Sequence, residues 1–286
     1  MIKFTKMHGA GNDYVFIDAR NLQEENWGSL SIDISDRHKG VGSDGLILLL
    51  DSETGDIRMR MFNSDGSEGE MCGNGIRCLV GFAQACGAIS ISQKEVVVET
   101  GAGILSVFPI IKHNSMIGAR VSMGLPVLSP SQVPVKVENF SSDEPLLEYP
   151  VVINHNNLKI SCVSMGNPHA VAFVEEPIDK FNLLDIGPII EHHHMFPNRV
   201  NFEVVNFISR TSLDVRVWER GSGITQACGT GACAVAVVAH LLGMVDDEVI
   251  VSLPGGNLII RWSGEGNVEM EGPIDTVFEG EWLLQP

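Results

Sequence analysis

Two cysteines are each followed by Gly-x-Gly: Cys72-Gly73-Asn74-Gly75 and Cys228-Gly229-Thr230-Gly231. Each motif opens a stretch with helical character that ends at a glycine, Gly87 in one case and Gly243 in the other. A thiol at a helix N-terminus feels the positive end of the dipole, which favours the thiolate. The glycines let unpaired backbone N–H groups approach a ligand, and such a cradle suits a carboxylate. Two of these devices acting on one molecule would grip its carboxylate from both sides and set a sulfur on each face of the adjacent carbon. One thiolate could then remove an α-proton while the opposite thiol delivers another, with the N–H groups stabilising the carbanion. Two thiolates close together repel, so one thiol and one thiolate form the working state.

The cysteine motifs belong to a wider repeat. Gly11-Asn12 recurs as Gly166-Asn167, Arg60-Met61-Phe62-Asn63 as Arg216-Val217-Trp218-Glu219, and the segment from Glu95 to Leu105 as Glu248 to Leu258, always 153 to 156 residues downstream. Four segments in one order at nearly one spacing indicate a duplicated unit of domain size. Strand signals cover Tyr14–Asp18, Asp56–Phe62, Glu95–Glu99, Leu158–Val163, Ala170–Val174, Leu213–Trp218 and Glu248–Leu253. The stretch after Cys228 is Ala-rich and apolar nearly all round, so it reads as a central helix enclosed by strands. The expected architecture is therefore α+β: two pseudo-symmetric domains, each a curved, mostly antiparallel, barrel-like sheet around a central helix. Residues 1–120 form the first domain, which carries Cys72 and is rejoined by the tail 273–286. Residues 121–272 form the second, which carries Cys228. The proline- and serine-rich stretch from Val121 to Tyr149 reads as the crossover plus an irregular insertion.

Composition narrows the classes. The 36 acidic against 19 basic residues give a net charge of -17. This argues against nucleic acid and against anionic lipid as partners, since both need a basic face. The N-terminus has no apolar signal segment. The longest apolar tract, Ala232 to Val245, is shorter than the ~20 residues of a membrane span. A cytoplasmic protein with six reduced cysteines is the expectation.

The segments Met7-His8-Gly9-Ala10-Gly11-Asn12-Asp13, Phe62 to Glu68, Met71 to Cys78, Met165-Gly166-Asn167-Pro168-His169 and Glu219 to Ala232 closely resemble the diaminopimelate epimerase family. The resemblance covers almost the whole chain. It implies cofactor-independent interconversion of LL- and meso-2,6-diaminopimelate, serving lysine and peptidoglycan synthesis, in a homodimer whose domains close over substrate. It makes Cys72 and Cys228 the acid/base thiols, tuned by His169 and Glu219. Gly73, Asn74, Gly229 and Thr230 would offer N–H groups to the reacting carboxylate. Asn12, Asn63, Asn167, Asn201 and Arg220 would hold the polar groups of the distal end. Arg220 suits a carboxylate because its guanidinium binds bidentately, and Glu219 can accept from an ammonium. Three positions depart from the family pattern: Gly45 in place of a side-chain amide, Ile224 in place of glutamate, and Phe278 in place of a dimer-interface tyrosine.

Other readings compete at several positions. Cys78, Cys86, Cys162 and Cys233 read as buried, inert thiols. The four asparagines could be turn formers, Glu219-Arg220 a solvated pair and His169 a satisfied core histidine. His192-His193-His194 reads as a solvent-facing loop, with no metal expected. Pyridoxal phosphate would need a Schiff-base lysine, and none of the eight lysines lies in the motifs. The same scaffold could serve a racemase of another amino acid. A non-catalytic amino-acid-binding protein would leave the paired thiols unexplained.

Overall fold

The computed structural model describes residues 1–23, 26–137, 144–154 and 156–283. The chain divides into two compact units, one of Met1–Ser122 with Glu271–Pro286, the other of Met123–Met270. Parts of the crossover stretch and the last three residues lie outside the described ones.

The first unit contains β1 (Ile2–Gly9), β2 (Asn12–Asp18), α1 (Trp27–Ser35), β3 (Gly45–Leu50), β4 (Ile57–Asn63), β5 (Glu68–Gly69), α2 (Gly73–Ala85), β6 (Val96–Thr100), β7 (Gly103–Lys112) and β8 (Ser115–Ser122). The second contains β9 (Tyr149–Ile153), β10 (Asn156–Ser164), β11 (Pro168–Phe173), α3 (Leu183–Glu191), β12 (Asn201–Ser209), β13 (Ser212–Glu219), β14 (Gly223–Thr225), α4 (Gly229–Leu241), β15 (Glu248–Leu253) and β16 (Gly256–Arg261). β17 (Glu269–Pro273) leads the chain back into the first unit, which β18 (Asp275–Trp282) completes by pairing antiparallel with β1. Ile274 N–H donates to Ile117 C=O at 3.2 Å, so the returning segment also meets β8.

The two units share one pairing scheme. β1–β2, β3–β4 and β6–β7 are antiparallel, while β2–β3 and β4–β6 are parallel. In the second unit β10–β11, β12–β13 and β15–β16 are antiparallel, while β11–β12 and β13–β15 are parallel. Each parallel pair needs a crossover, and the helices supply it. α2 connects β4 to β6 and packs against β1, β2, β3, β7 and β8. α4 connects β13 to β15 and packs against β10, β11, β12, β15 and β16. Both are central helices walled by strands, and α4 is buried from Gly229 to Ala239 apart from Thr230.

Each unit also has a second helix that the sequence does not announce. α1 packs outside β3 and β4, and α3 outside β12, β13 and β14. α1 is rich in serine and β-branched residues, and α3 contains Gly187 and Pro188, all poor helix formers. Packing overrides propensity. Trp27, Leu30 and Ile34 close a core with Val15, Ile17, Leu46 and Leu48. A Cβ on Gly187 would lie 2.6 Å from the Trp218 ring, so α3 reaches the sheet only with glycine there. β3 is covered by α1 on one face and α2 on the other, which is why it reads Gly-Leu-Ile-Leu-Leu-Leu without alternation. In the crossover stretch Val133, Val135 and Leu146 are buried in the second unit's core.

Candidate active site

Both cysteines cap the central helices. Cys72 (φ −134°, ψ 118°) precedes α2 and Cys228 (φ −115°, ψ 113°) precedes α4, each in extended backbone. Gly75 N–H donates to the Cys72 sulfur at 3.3 Å, and Gly231 N–H to the Cys228 sulfur at 3.4 Å. Each sulfur thus takes the role of an N-cap oxygen. A Cβ on Gly75 would lie 2.5 Å from Ile47 Cδ1 and 3.4 Å from Cys72 Cβ. On Gly231 it would lie 2.7 Å from Glu203 Oε1 and 3.2 Å from Cys228 Cβ. The glycines therefore give the first turn room against the side chains around it.

In the first unit the Cys72 thiol donates to Asn12 Oδ1 at 3.3 Å. Asn12 leaves a tight turn with Ala10 at φ 52° and Gly11 at φ 79°, and its Nδ2 donates to Asp44 Oδ2 at 2.7 Å. Asp44 accepts the Asp13 N–H as well, and Arg37 bridges Asp13 and Asp44 at 2.8 Å each. Burial works to raise the Asp13 carboxyl, but Arg37 and Lys6 outweigh it and hold the pKa below the usual range. Tyr14 is buried, and Cys72 and Asn12 are among the groups that act on its hydroxyl. Burial, then the Cys72 charge, pushes the phenol well above its ordinary value. Arg77 is fully buried, donating from Nη1 to Gly73 C=O at 3.0 Å and from Nη2 to Asn74 Oδ1 at 2.9 Å. The Asn74 side chain therefore turns inward. Asn63 closes a turn, with Nδ2 donating to Ser67 Oγ at 2.9 Å. Gly45 lies opposite Asn63, and a Cβ there would stand 2.2 Å from the Phe62 carbonyl oxygen. A side-chain amide has no room at that position on this backbone.

In the second unit Cys228 is buried; its thiol hydrogen-bonds with Thr230 Oγ1 at 3.5 Å, and the Glu219 carboxylate acts on it electrostatically. The thiolate expected from the helix terminus is not what this surrounding favours. Burial first, then the Glu219 and Glu203 carboxylates, push the Cys228 thiol well above its ordinary value, outweighing the Gly231 N–H. Desolvation also raises Glu219, against the Thr225 hydrogen bond and the Cys228 thiol. His169 is completely buried, with Nδ1 2.7 Å from Glu203 Oε1 and Nε2 2.9 Å from Asn167 Oδ1. Asn201 is committed to backbone: Nδ2 donates to Pro168 C=O at 2.9 Å, and Oδ1 accepts the Arg220 N–H at 2.9 Å. Arg220 is exposed, with Nη1 donating to Asn198 C=O at 3.1 Å. Its hairpin is pinned by Glu191 of α3, whose Oε2 accepts Trp218 Nε1 at 2.7 Å and whose Oε1 accepts Gly221 N–H at 2.9 Å. Ile224 lies partly exposed on β14.

Within the first unit the structure brings Asn12, Cys72, Gly73 and Asn74 into one bonded group, with Asn63 in a separate turn. In the second, Asn167 with His169, and Glu219 with Cys228 and Thr230, form linked groups, while Asn201 and Arg220 share the neighbouring loop. Four residues escaped the sequence reading: Tyr14, Arg77, Glu191 and Glu203. Tyr14 had a signal, because the Gly11-Asn12 and Gly166-Asn167 repeat, carried two residues further, sets Tyr14 over His169. Glu203 had another, an acid between the apolar Phe202 and Val204-Val205 in the buried part of its strand. The histidine run contributes the α3 cap, His192, and the adjacent rings of His193 and His194.

Comparison with known proteins shows the family of the chain. The profile of the diaminopimelate epimerase family matches residues 4–128 and 161–277. The diaminopimelate epimerase of Acetivibrio thermocellus is 48% identical over 282 residues, covering 98% of each chain. That of Methanococcus maripaludis is 44% identical over 281 residues, covering 98% of this chain and 99% of the relative. A probable proline racemase from Agrobacterium radiobacter has a similar fold (TM-score 0.70, 14% identity, 100% of this chain and 94% of that one). Among the described residues no helix is long and apolar enough to cross a membrane. With the profile on both halves of the duplication and relatives nearly half identical from end to end, the chain belongs to the diaminopimelate epimerase family.

Proposed function

We propose that Cys72 and Cys228 are the two acid/base groups of a cofactor-independent epimerisation of LL- to meso-2,6-diaminopimelate. The observation that carries this reading is the same device built twice. At one topological position in each unit, a thiol caps a buried helix and is hydrogen-bonded into a polar group. One sulfur takes the α-proton as thiolate and leaves the electron pair on carbon. The other gives its proton to the opposite face, and the reverse reaction exchanges the roles. The N–H groups of Gly73, Asn74, Gly229 and Thr230 hold the reacting carboxylate and stabilise charge that develops on it. Asn12, Asn63, Asn167 and Arg220 serve the distal amino-carboxylate, with Asn201 fixing the loop that presents Arg220. The surroundings of Cys228 favour its protonated form, and we assign Cys72 as the group that opens the cycle as base.

Thiol chemistry of this kind suits a reducing compartment, and we place the protein in the cytoplasm. We also infer a homodimer, in which the half-exposed Phe278 ring of β18 packs at the interface without a hydroxyl. Sedimentation at working concentration tests the dimer.

The deciding experiment follows LL-diaminopimelate by proton NMR in heavy water with native protein, Cys72→Ala and Cys228→Ala. The expected result is loss of the α-proton signal with appearance of the meso isomer, slowed at least ~10²–10⁴-fold in each variant. Full activity in either variant would overturn the two-base assignment. An inactive, reduced native protein would overturn the substrate.

A further inference from the structure

Glu203 is the buried acid that the reaction scheme leaves without a task. Its carboxylate is fully buried on β12, where burial without full pairing is costly. Oε1 meets His169 Nδ1 at 2.7 Å, while Oε2 has no hydrogen-bond partner among the described residues. Oε1 also lies 2.7 Å from the place a Gly231 Cβ would occupy, against the first turn of α4. That turn carries the N–H that donates to the Cys228 sulfur. On its other nitrogen His169 meets Asn167 Oδ1, so the carboxylate, the ring and the amide form one chain of contacts.

We propose that Glu203 is a positioning residue for the epimerisation: it holds His169, and through it Asn167, and its buried charge against the first turn of α4 makes Cys228 the proton donor. This rests on the roles given above to Cys228 and Asn167. The groups facing Cys228 are Glu219 from β13 and Glu203 from β12, and His169 of β11 is the cation-forming group beside them. Both carboxylates push the Cys228 thiol upward, in the direction its burial already sets. The same charge reaches Cys162 on β10, whose thiol is raised to about 12 by burial and then by Glu203. Of the two carboxylates Glu219 has the larger effect on the Cys228 thiol. Glu203 does not touch the sulfur and acts through the field and through His169.

The test separates charge from contact. Thiolate absorbance is titrated in a Cys72→Ala background, with and without Glu203→Gln, and each trace is referred to the corresponding Cys228→Ala protein. Removing the charge is expected to lower the Cys228 midpoint, giving roughly tenfold more thiolate at a given pH below it. Glu203→Asp keeps the charge but draws it back from His169. It is expected to keep the midpoint and, with both cysteines present, to raise KM severalfold. An unchanged midpoint in Glu203→Gln overturns the charge effect, and a native KM in Glu203→Asp overturns the positioning. If Glu203→Gln does not fold, Glu203→Ala takes its place in the titration, with the same lowered midpoint expected and an unchanged midpoint overturning the charge effect. A Cys228→Ala protein that still epimerises would instead sink the catalytic assignment, whatever the Glu203 titrations show.

Discussion

Tyr14 and His169 hold the same register position in their respective units: Tyr14 lies opposite Gly45 across β2–β3, and His169 opposite Asn201 across β11–β12. The duplicated sheet thus presents a phenol on the Cys72 side and an imidazole on the Cys228 side. The phenol is coupled to the sulfur itself. The imidazole instead bonds Glu203 and Asn167.

Tyr14→Phe removes one hydroxyl from Cys72 and keeps the ring in the core. A hydrogen bond to a charged sulfur is worth about 1.5–3 kcal/mol, so kcat/KM is expected to fall about tenfold or more. The thermal midpoint should change by only a few degrees. Steady-state kinetics and calorimetry on the same sample check both, and an unaltered kcat/KM would remove Tyr14 from the thiol's support.

Gly231→Ala pushes a methyl carbon against Glu203 Oε1 and Cys228. Overpacking of this kind costs about 1–3 kcal/mol. Because the first turn of α4 must shift, the loss of activity is expected to exceed the loss of stability. Denaturant unfolding alongside kinetics reads the two. Gly243→Ala is the control: its position at φ 69° has no neighbouring atom within 4 Å of a Cβ, so it should cost backbone strain and little activity.

Glu219 carries a stability effect with a definite sign. Its folded pKa is raised above the ordinary 4.5, chiefly by desolvation. The native state therefore binds the proton more readily than the unfolded chain, and that favourable contribution, complete below about 4.5, is lost as pH rises through the folded value. Glu219→Gln should melt higher than the native protein at neutral pH, with the gap closing as pH falls towards 4.5, while activity is lost. Melting curves across that range check it, and a constant gap would contradict it.

Cys78 and Cys162 are both raised to about 12 from an ordinary value of 9, by burial first. The unfolded chain ionises these thiols where the folded one does not, so stability declines as pH climbs from about 9 towards 12. Cys78→Ala/Cys162→Ala is expected to be less stable at neutral pH yet to lose less over the alkaline range. Denaturant midpoints against pH read the slope.

Much of this was legible in the chain itself, for physical reasons. The helices opened by Cys72 and Cys228 begin and end on residues that act locally, a capping thiol and a glycine in the left-handed region. β15 shows clear alternation. α1 and α3 were not legible, because their helicity comes from docking on sheets rather than from Ser31 or Pro188. Nor was the inward turn of Asn74, which exists because the buried Arg77 guanidinium, three residues further along the central helix, needs an acceptor. The direction of the Cys228 thiol was misread for a related reason. A dipole is visible in a motif, but Glu203 reaches the same turn from a strand 25 residues earlier in sequence.

The return of the chain to its first unit has a consequence for how the molecule is made. The second unit is continuous, so every strand it needs is synthesised before β18 is. The first unit is missing β18, the partner of β1, until the chain has passed through the whole second unit. The N-terminal sheet, although translated first, must therefore wait with an open edge, and the half that is translated later is the one that can close first.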